Sequence, residues 1–93
     1  MNGFQKQLWD NTLKRGVIPN IPLDLLNFRF FDKLQEELNE LIDAYHTKGY
    51  IDAQELADCF IVVCNCASAN SIDIVDTAME KSTQDLTRTQ SMV

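Results

Sequence analysis

Apolar side chains return along this chain at helical spacing. Phe4, Leu8, Trp9 and Leu13 recur at four- and five-residue steps, the stripe of a short helix from Phe4 to Arg15 that Gly16 would stop. Val17 to Pro22 (VIPNIP) holds both prolines of the chain. Each proline pushes its predecessor out of the helical region, so this stretch reads as an extended connector. A second helix is expected from about Leu26 to Lys48, with Gly49 just past its last turn. At 100° per residue, Phe31, Leu34, Leu38, Leu41, Ile42 and Tyr45 share an arc of roughly 100° and are predicted to face the core. Glu36, Asn39 and Asp43 fall on the far side, while Lys33, Glu37, Glu40 and Ala44 form a strip flanking the apolar arc.

A third helix is predicted from Asp52, as N-cap, to about Asn70. Its body, Ala57 to Ala69, is apolar on nearly every side, which predicts burial on nearly every side. The β-branched Ile61-Val62-Val63 favours a strand locally, but the run is too long and a lone strand would have no mate. A fourth helix should begin near Asp73, turning Val75, Ala78, Met79 and Leu86 inward. Lys81, Asp85 and Arg88 follow on another of its faces, at i, i+4 and i+7. No internal repeat is present, and the last five residues are expected to fray. The fold class is therefore all-α, a single helical domain over residues 1–93.

Composition narrows the function classes. Ninety-three residues can bury one core and no more. With 45% hydrophobic and 24% charged residues the chain is neither disordered nor fibrous. Three glycines and two prolines are too few for the frequent turns of a sandwich or barrel. Eight Lys and Arg against fourteen Asp and Glu give a net charge of −6, the wrong sign for a nucleic-acid polymer or an anionic membrane as partner. Any anionic ligand would need a local cation or a metal ion. Cys59, Cys64 and Cys66 are odd in number and lack metal-ligand spacing, so they read as small core side chains. No run reaches the ~18 apolar residues of a membrane span, and MNGFQKQLWD has no signal-peptide core, so a cytoplasmic location is expected.

The carboxylates carry the candidate chemistry. Glu37 with Glu40, and Glu55 with Asp58, are i, i+3 pairs that share a helix face. If helices two and three pack antiparallel across the Lys48–Ile51 turn, all four converge. Like charges that close require a counter-charge, and an oxygen-only ligand set suits Mg²⁺ or Mn²⁺ better than zinc. Two ordinary readings compete. Glu-rich helix faces are usually just solvated, as is expected of Glu36 and Asp43, and Asp52-x-x-Glu55 has the form of a capping box. Asp58 favours the site, because it stands at the mouth of an otherwise apolar helix where an unpaired charge is costly. A di-iron bundle would need two Glu-x-x-His motifs; His46 is the one histidine and Asp43 precedes it by three. Its place near a helix C-terminus suits a charge–dipole role.

The segment KLQEELNEL (33–41), followed by ELAD (55–58), resembles the paired ExxE…ExxD signature of the MazG-like all-α nucleoside triphosphate pyrophosphohydrolases. The likeness includes Lys33, the Glu36-Glu37 doublet, and Ser71-Ile72-Asp73-Ile74 ahead of a helix bearing Lys81, so it covers about 28 to 88. It implies a four-helix bundle completed by homo-oligomerisation, as a dimer or tetramer with shared sites. It also implies Mg²⁺-dependent hydrolysis of a (deoxy)nucleoside triphosphate to monophosphate and pyrophosphate. Glu37, Glu40, Glu55 and Asp58 would be metal ligands, with Glu36 a nearby ligand or water-orienting base. Lys33 and Lys81, with Arg88, would hold phosphate oxygens. The family commonly has Asn four residues after the second Lys; here that position is Asp85, which weakens the phosphate grip unless it binds metal or pairs with Arg88. Phe4, Trp9 and Phe30 are candidates for base contact, against plain core packing. The other readings are an acidic interaction module for a basic partner, and a family member that binds nucleotide or metal without turnover.

Overall fold

The computed structural model describes residues 2–87. Four helices follow one another: α1 (Gly3–Lys14), α2 (Leu23–Lys48), α3 (Ala53–Ala69) and α4 (Ile74–Asp85). Local chemistry sets most of their ends. Asn2, Asp52 and Asp73 each accept backbone N–H groups from the first turn that follows them. Gly49 closes α2 in the left-handed conformation, with its N–H on Tyr45 O at 2.8 Å. At the end of α3, Ile72 N–H reaches Ala67 O (2.8 Å) and Ser71 N–H reaches Ser68 O (3.1 Å). These are the two bonds of a Schellman motif, here with Ser71 at φ 57° where glycine is usual.

Two predicted features need correction at α2. The helix starts at Leu23, three residues before the expected Leu26, because Pro22 serves as its N-cap and its carbonyl receives Leu26 N–H at 3.0 Å. Its seam is also turned. Leu26, Phe30 and Glu37 are its buried residues, whereas Phe31, Leu38, Ile42 and Tyr45 of the predicted core stripe stay exposed. At 100° per residue the buried line lies roughly a quarter turn from the middle of that stripe. About half the circumference of α2 is apolar, and α3 covers only one edge of it.

α3 is the centre of the molecule, packed against both α1 and α2. The short Gly49–Asp52 turn sends it back antiparallel to α2, so that Asn27 and Asn70 pair their side-chain amides at one end (2.7 and 3.1 Å). The core is Leu26, Phe30 and Val62, with Trp9, Ile18, Ile21, Leu34, Cys66 and Ala69 packed against it. Gln5, 1% exposed, ties three elements together. Its Nε2 donates to Ser68 Oγ (3.1 Å) and Ile72 O (2.8 Å), and its Oε1 accepts from Ile74 N–H (3.0 Å). The thiols behave as expected: Cys64 is buried, Cys59 and Cys66 are half-buried, and burial raises the pKa of all three.

Two burial expectations fail. α3 is not enclosed, since Leu56, Phe60 and Val63 are exposed. α4 buries no residue: Ala78, Met79 and Leu86 lie open and Val75 is half-buried. One chain supplies too few helices to cover these faces. No single helix among the described residues is long and apolar enough to cross a membrane.

Candidate functional site

The antiparallel α2–α3 hairpin brings Glu37 to Glu55 and Asp58, while Glu40 groups with Glu37 and Glu36 rather than with the α3 pair. Glu37, Glu55 and Asp58 can offer oxygens that all lie within 4.8 Å of one another, and so can Glu36, Glu37 and Glu40. Glu37 belongs to both groups. It is 7% exposed, and its Oε1 takes an ion pair from Lys33 Nζ at 3.0 Å. Its Oε2 is buried with no hydrogen-bond partner, as is Glu55 Oε2. Lys33 also reaches exposed Glu36 at 3.4 Å.

Electrostatics follow from this crowding. The Glu37 charge, foremost, then loss of hydration and the contact with Glu37, and lastly the Glu55 and Glu36 charges push the Glu40 carboxyl above the usual range. The hydrogen bond from Lys33 to Glu37 raises the ammonium's own pKa. The capping box is half made. Asp52 Oδ1 accepts Gln54 N–H (3.0 Å) and Glu55 N–H (3.1 Å), but buried Glu55 Oε2 does not complete the exchange. An all-oxygen donor set with two buried, unpartnered carboxylate oxygens fits a hard divalent cation.

Beside the carboxylates lies an open cavity of about 460 Å³. Its apolar wall includes Leu26, Phe30, Ile61 and Val62, and the connector closes one side with Val17, Ile18 and Pro19. Lys33, Glu37 and Asp58 belong to the same lining, whereas Glu36, Glu40 and Glu55 do not. Arg15 and Arg29 add two cations, and Thr12 and Asn65 add polar atoms. These last four were not anticipated. Arg29 had a signal, four residues before Lys33 on one helix face, and so did Asn65, a polar residue seven after Asp58 in an apolar run. The approach of the connector, which makes the cavity, had none.

The remaining candidates disperse. Lys81 and Asp85 do not line this cavity; they pair with each other at 3.8 Å, so Asp85 finds its cation within α4. Arg88 lies outside the described residues. Phe4 is exposed, Trp9 packs on the core, and Phe30 is both a core residue and part of the cavity wall. His46 is exposed in the last turn of α2. No family model, curated protein or solved structure matches the chain.

Proposed function

We propose that this protein is a Mg²⁺-dependent nucleoside triphosphate pyrophosphohydrolase of the MazG-like kind, converting a (deoxy)nucleoside triphosphate to monophosphate and pyrophosphate in house-cleaning or pool control. The observation that carries the reading is Glu37. It is a buried carboxylate shared by two acidic groups, with one oxygen unpartnered, beside a cavity that also presents three cationic side chains.

Glu37, Glu40, Glu55 and Asp58 would hold the cation, Mg²⁺ or Mn²⁺. When bound, it supplies charge neutralisation and a water acidic enough to attack phosphorus near neutral pH. The protein's own groups do the rest. Lys33 pairs with Glu37 and lines the cavity beside it; it would receive phosphate oxygens, with Arg15 and Arg29 as further donors. Glu36 is exposed at the cluster's edge, placed to accept the proton that the attacking water gives up. That water's oxygen bonds to phosphorus, the bridge between the α and β phosphoryl groups breaks, and its electrons leave on the bridging oxygen.

A second copy of the chain is part of this reading. The radius of gyration is 15.1 Å, against roughly 12 Å for a compact chain of this length. The accessible surface is 7088 Å², against roughly 5,500 Å² for a folded monomer of this mass. A homodimer or homotetramer that pairs the open helical faces would remove the excess.

The test is a panel of ribo- and deoxyribonucleoside triphosphates with Mg²⁺, products resolved by chromatography. Monophosphate and pyrophosphate are expected, with the reaction abolished by EDTA. Orthophosphate with a diphosphate product would overturn the assignment of the broken bond.

A further inference from the structure

Asn65 is a buried amide on an apolar helix, 6% exposed, and its hydrogen bonding is incomplete. The bonds around it settle which way the amide points. Thr12 Oγ1 donates its hydrogen to Leu8 O at 3.0 Å. With that hydrogen on Leu8 O the hydroxyl accepts, and the Asn65 atom 2.8 Å away is the donor Nδ2. The atom left over is therefore Oδ1, an acceptor, and it has no partner. The residue lines the cavity that Lys33, Glu37 and Asp58 also border, together with Phe30 and Val62. At about 460 Å³, that space falls within the roughly 300–1,000 Å³ of small-molecule sites.

We propose that Asn65 Oδ1 accepts a hydrogen bond from the exocyclic amino group of the substrate's base, so that the protein prefers amino-bearing bases (cytosine, adenine) to their oxo counterparts (uracil, hypoxanthine). The inference rests on the nucleotide reading above and adds a specificity to it. An amino group sets a donor against the lone acceptor. An oxo group in the same place sets acceptor against acceptor. Turning the amide over would set Oδ1 against Thr12 Oγ1, and the hydroxyl would have to give up its bond to Leu8 O to pair with it. A polar site left unpaired in this way discriminates far better than an apolar one.

The experiment compares two matched pairs, dCMP with dUMP and dAMP with dIMP, for binding by calorimetry. It also compares the corresponding triphosphates for pyrophosphate release with Mg²⁺. The amino member of at least one pair should bind tighter and show a higher kcat/KM, on the order of tenfold. Asn65→Leu should level that pair. Thr12→Val should shrink the preference as well, since it frees the amide to turn over while leaving Asn65 in place. This variant keeps the test decisive if Asn65→Leu does not fold. Equal binding and turnover within both pairs, or a preference unchanged in Thr12→Val and in folded Asn65→Leu, would overturn the proposal. Absence of nucleotide binding would overturn it too. A binding preference without hydrolysis of any triphosphate would support it and refute the pyrophosphohydrolase reading instead.

Discussion

Glu37 belongs to both acidic groups. The Glu37 charge acts on Glu40, whose pKa in the folded chain is raised, chiefly by it. A carboxyl whose folded pKa exceeds its unfolded one binds its proton more tightly in the native state. Metal-free stability should therefore rise as pH falls from neutral toward the ordinary glutamate value near ~4.3, and this contribution levels off below that value. Glu40→Gln should remove this component and raise the melting temperature in EDTA at pH 7, while abolishing pyrophosphate release. Asp58→Asn should likewise abolish turnover without loss of metal-free stability. Asp43→Asn, on the exposed side of α2, should change neither quantity. If Asp43→Asn proved as damaging as Asp58→Asn, the placing of the reactive face would be wrong. Gln5 is a residue of the opposite kind, structural and fully partnered, with three bonds to Ser68, Ile72 and Ile74. Gln5→Leu would strand Ile74 N–H and Ile72 O, so a loss of about 2–3 kcal/mol is expected from denaturant titration, with the products of turnover unchanged.

Helix ends were legible where the cap is a side chain or a glycine adjacent in sequence. Asp52, Asp73, Gly16 and Gly49 mark their turns without help from the rest of the fold. The start of α2 was less so, because its first turn is held by Leu26 in the core, a tertiary contact. The meeting of Glu37 with Glu55 and Asp58 could be read because a turn of four residues forces α2 and α3 antiparallel. Which edge of α2 meets α3 could not. Periodicity marks a wide apolar arc but does not say which part a neighbour covers, so Glu37 is buried although it stands on a strip flanking that arc. Arg15 escaped for a similar reason: α1 and the connector bring it to the cavity from a distant part of the chain. The α2–α3 turn carries its own prediction. Lys48, the last residue of α2, pairs with Asp52, the cap of α3. That hydrogen bond, and then the one from Glu55 N–H, hold the Asp52 carboxyl below the usual range. Asp52→Asn keeps a good cap but loses the ion pair. The wild type should be the more stable at pH 7, by an amount constant down to the ordinary aspartate value near ~3.9 and shrinking as pH falls through the lower folded one. Urea midpoints at pH 7, 5 and 2.5 would check this. A gap that stayed the same at pH 2.5 would show that the charge is not its source.

At the scale of the whole molecule, the open apolar rows decide how many chains act together. On α3, Leu56, Phe60 and Val63 stand at i, i+4 and i+7, about half a turn from the Asp58–Asn65 line that faces the cavity. On α2, Phe31, Leu38, Ile42 and Tyr45 form a second exposed row. Phe28 extends that surface, its ring edge-on to Phe31 at 6.0 Å. Contiguous apolar surface of this extent is uncommon on a monomer, and the chain is both wider and more exposed than its length requires. Pairing two α2–α3 hairpins across a two-fold axis gives a closed four-helix core. The carboxylate groups lie on another side of α3 and would remain open to solvent. Phe60→Glu separates this arrangement from a monomer. Phe60 is 57% exposed in the single chain, so if the chain acts alone the substitution should change stability by no more than about 0.5 kcal/mol. If two copies meet there, each interface receives two buried, unpaired carboxylates. The sedimenting species should then fall to the 10.6 kDa monomer mass, and the melting temperature should drop and lose its dependence on protein concentration. Wild-type protein that already sediments as a stable, active 10.6 kDa species at micromolar concentration would refute the assembly.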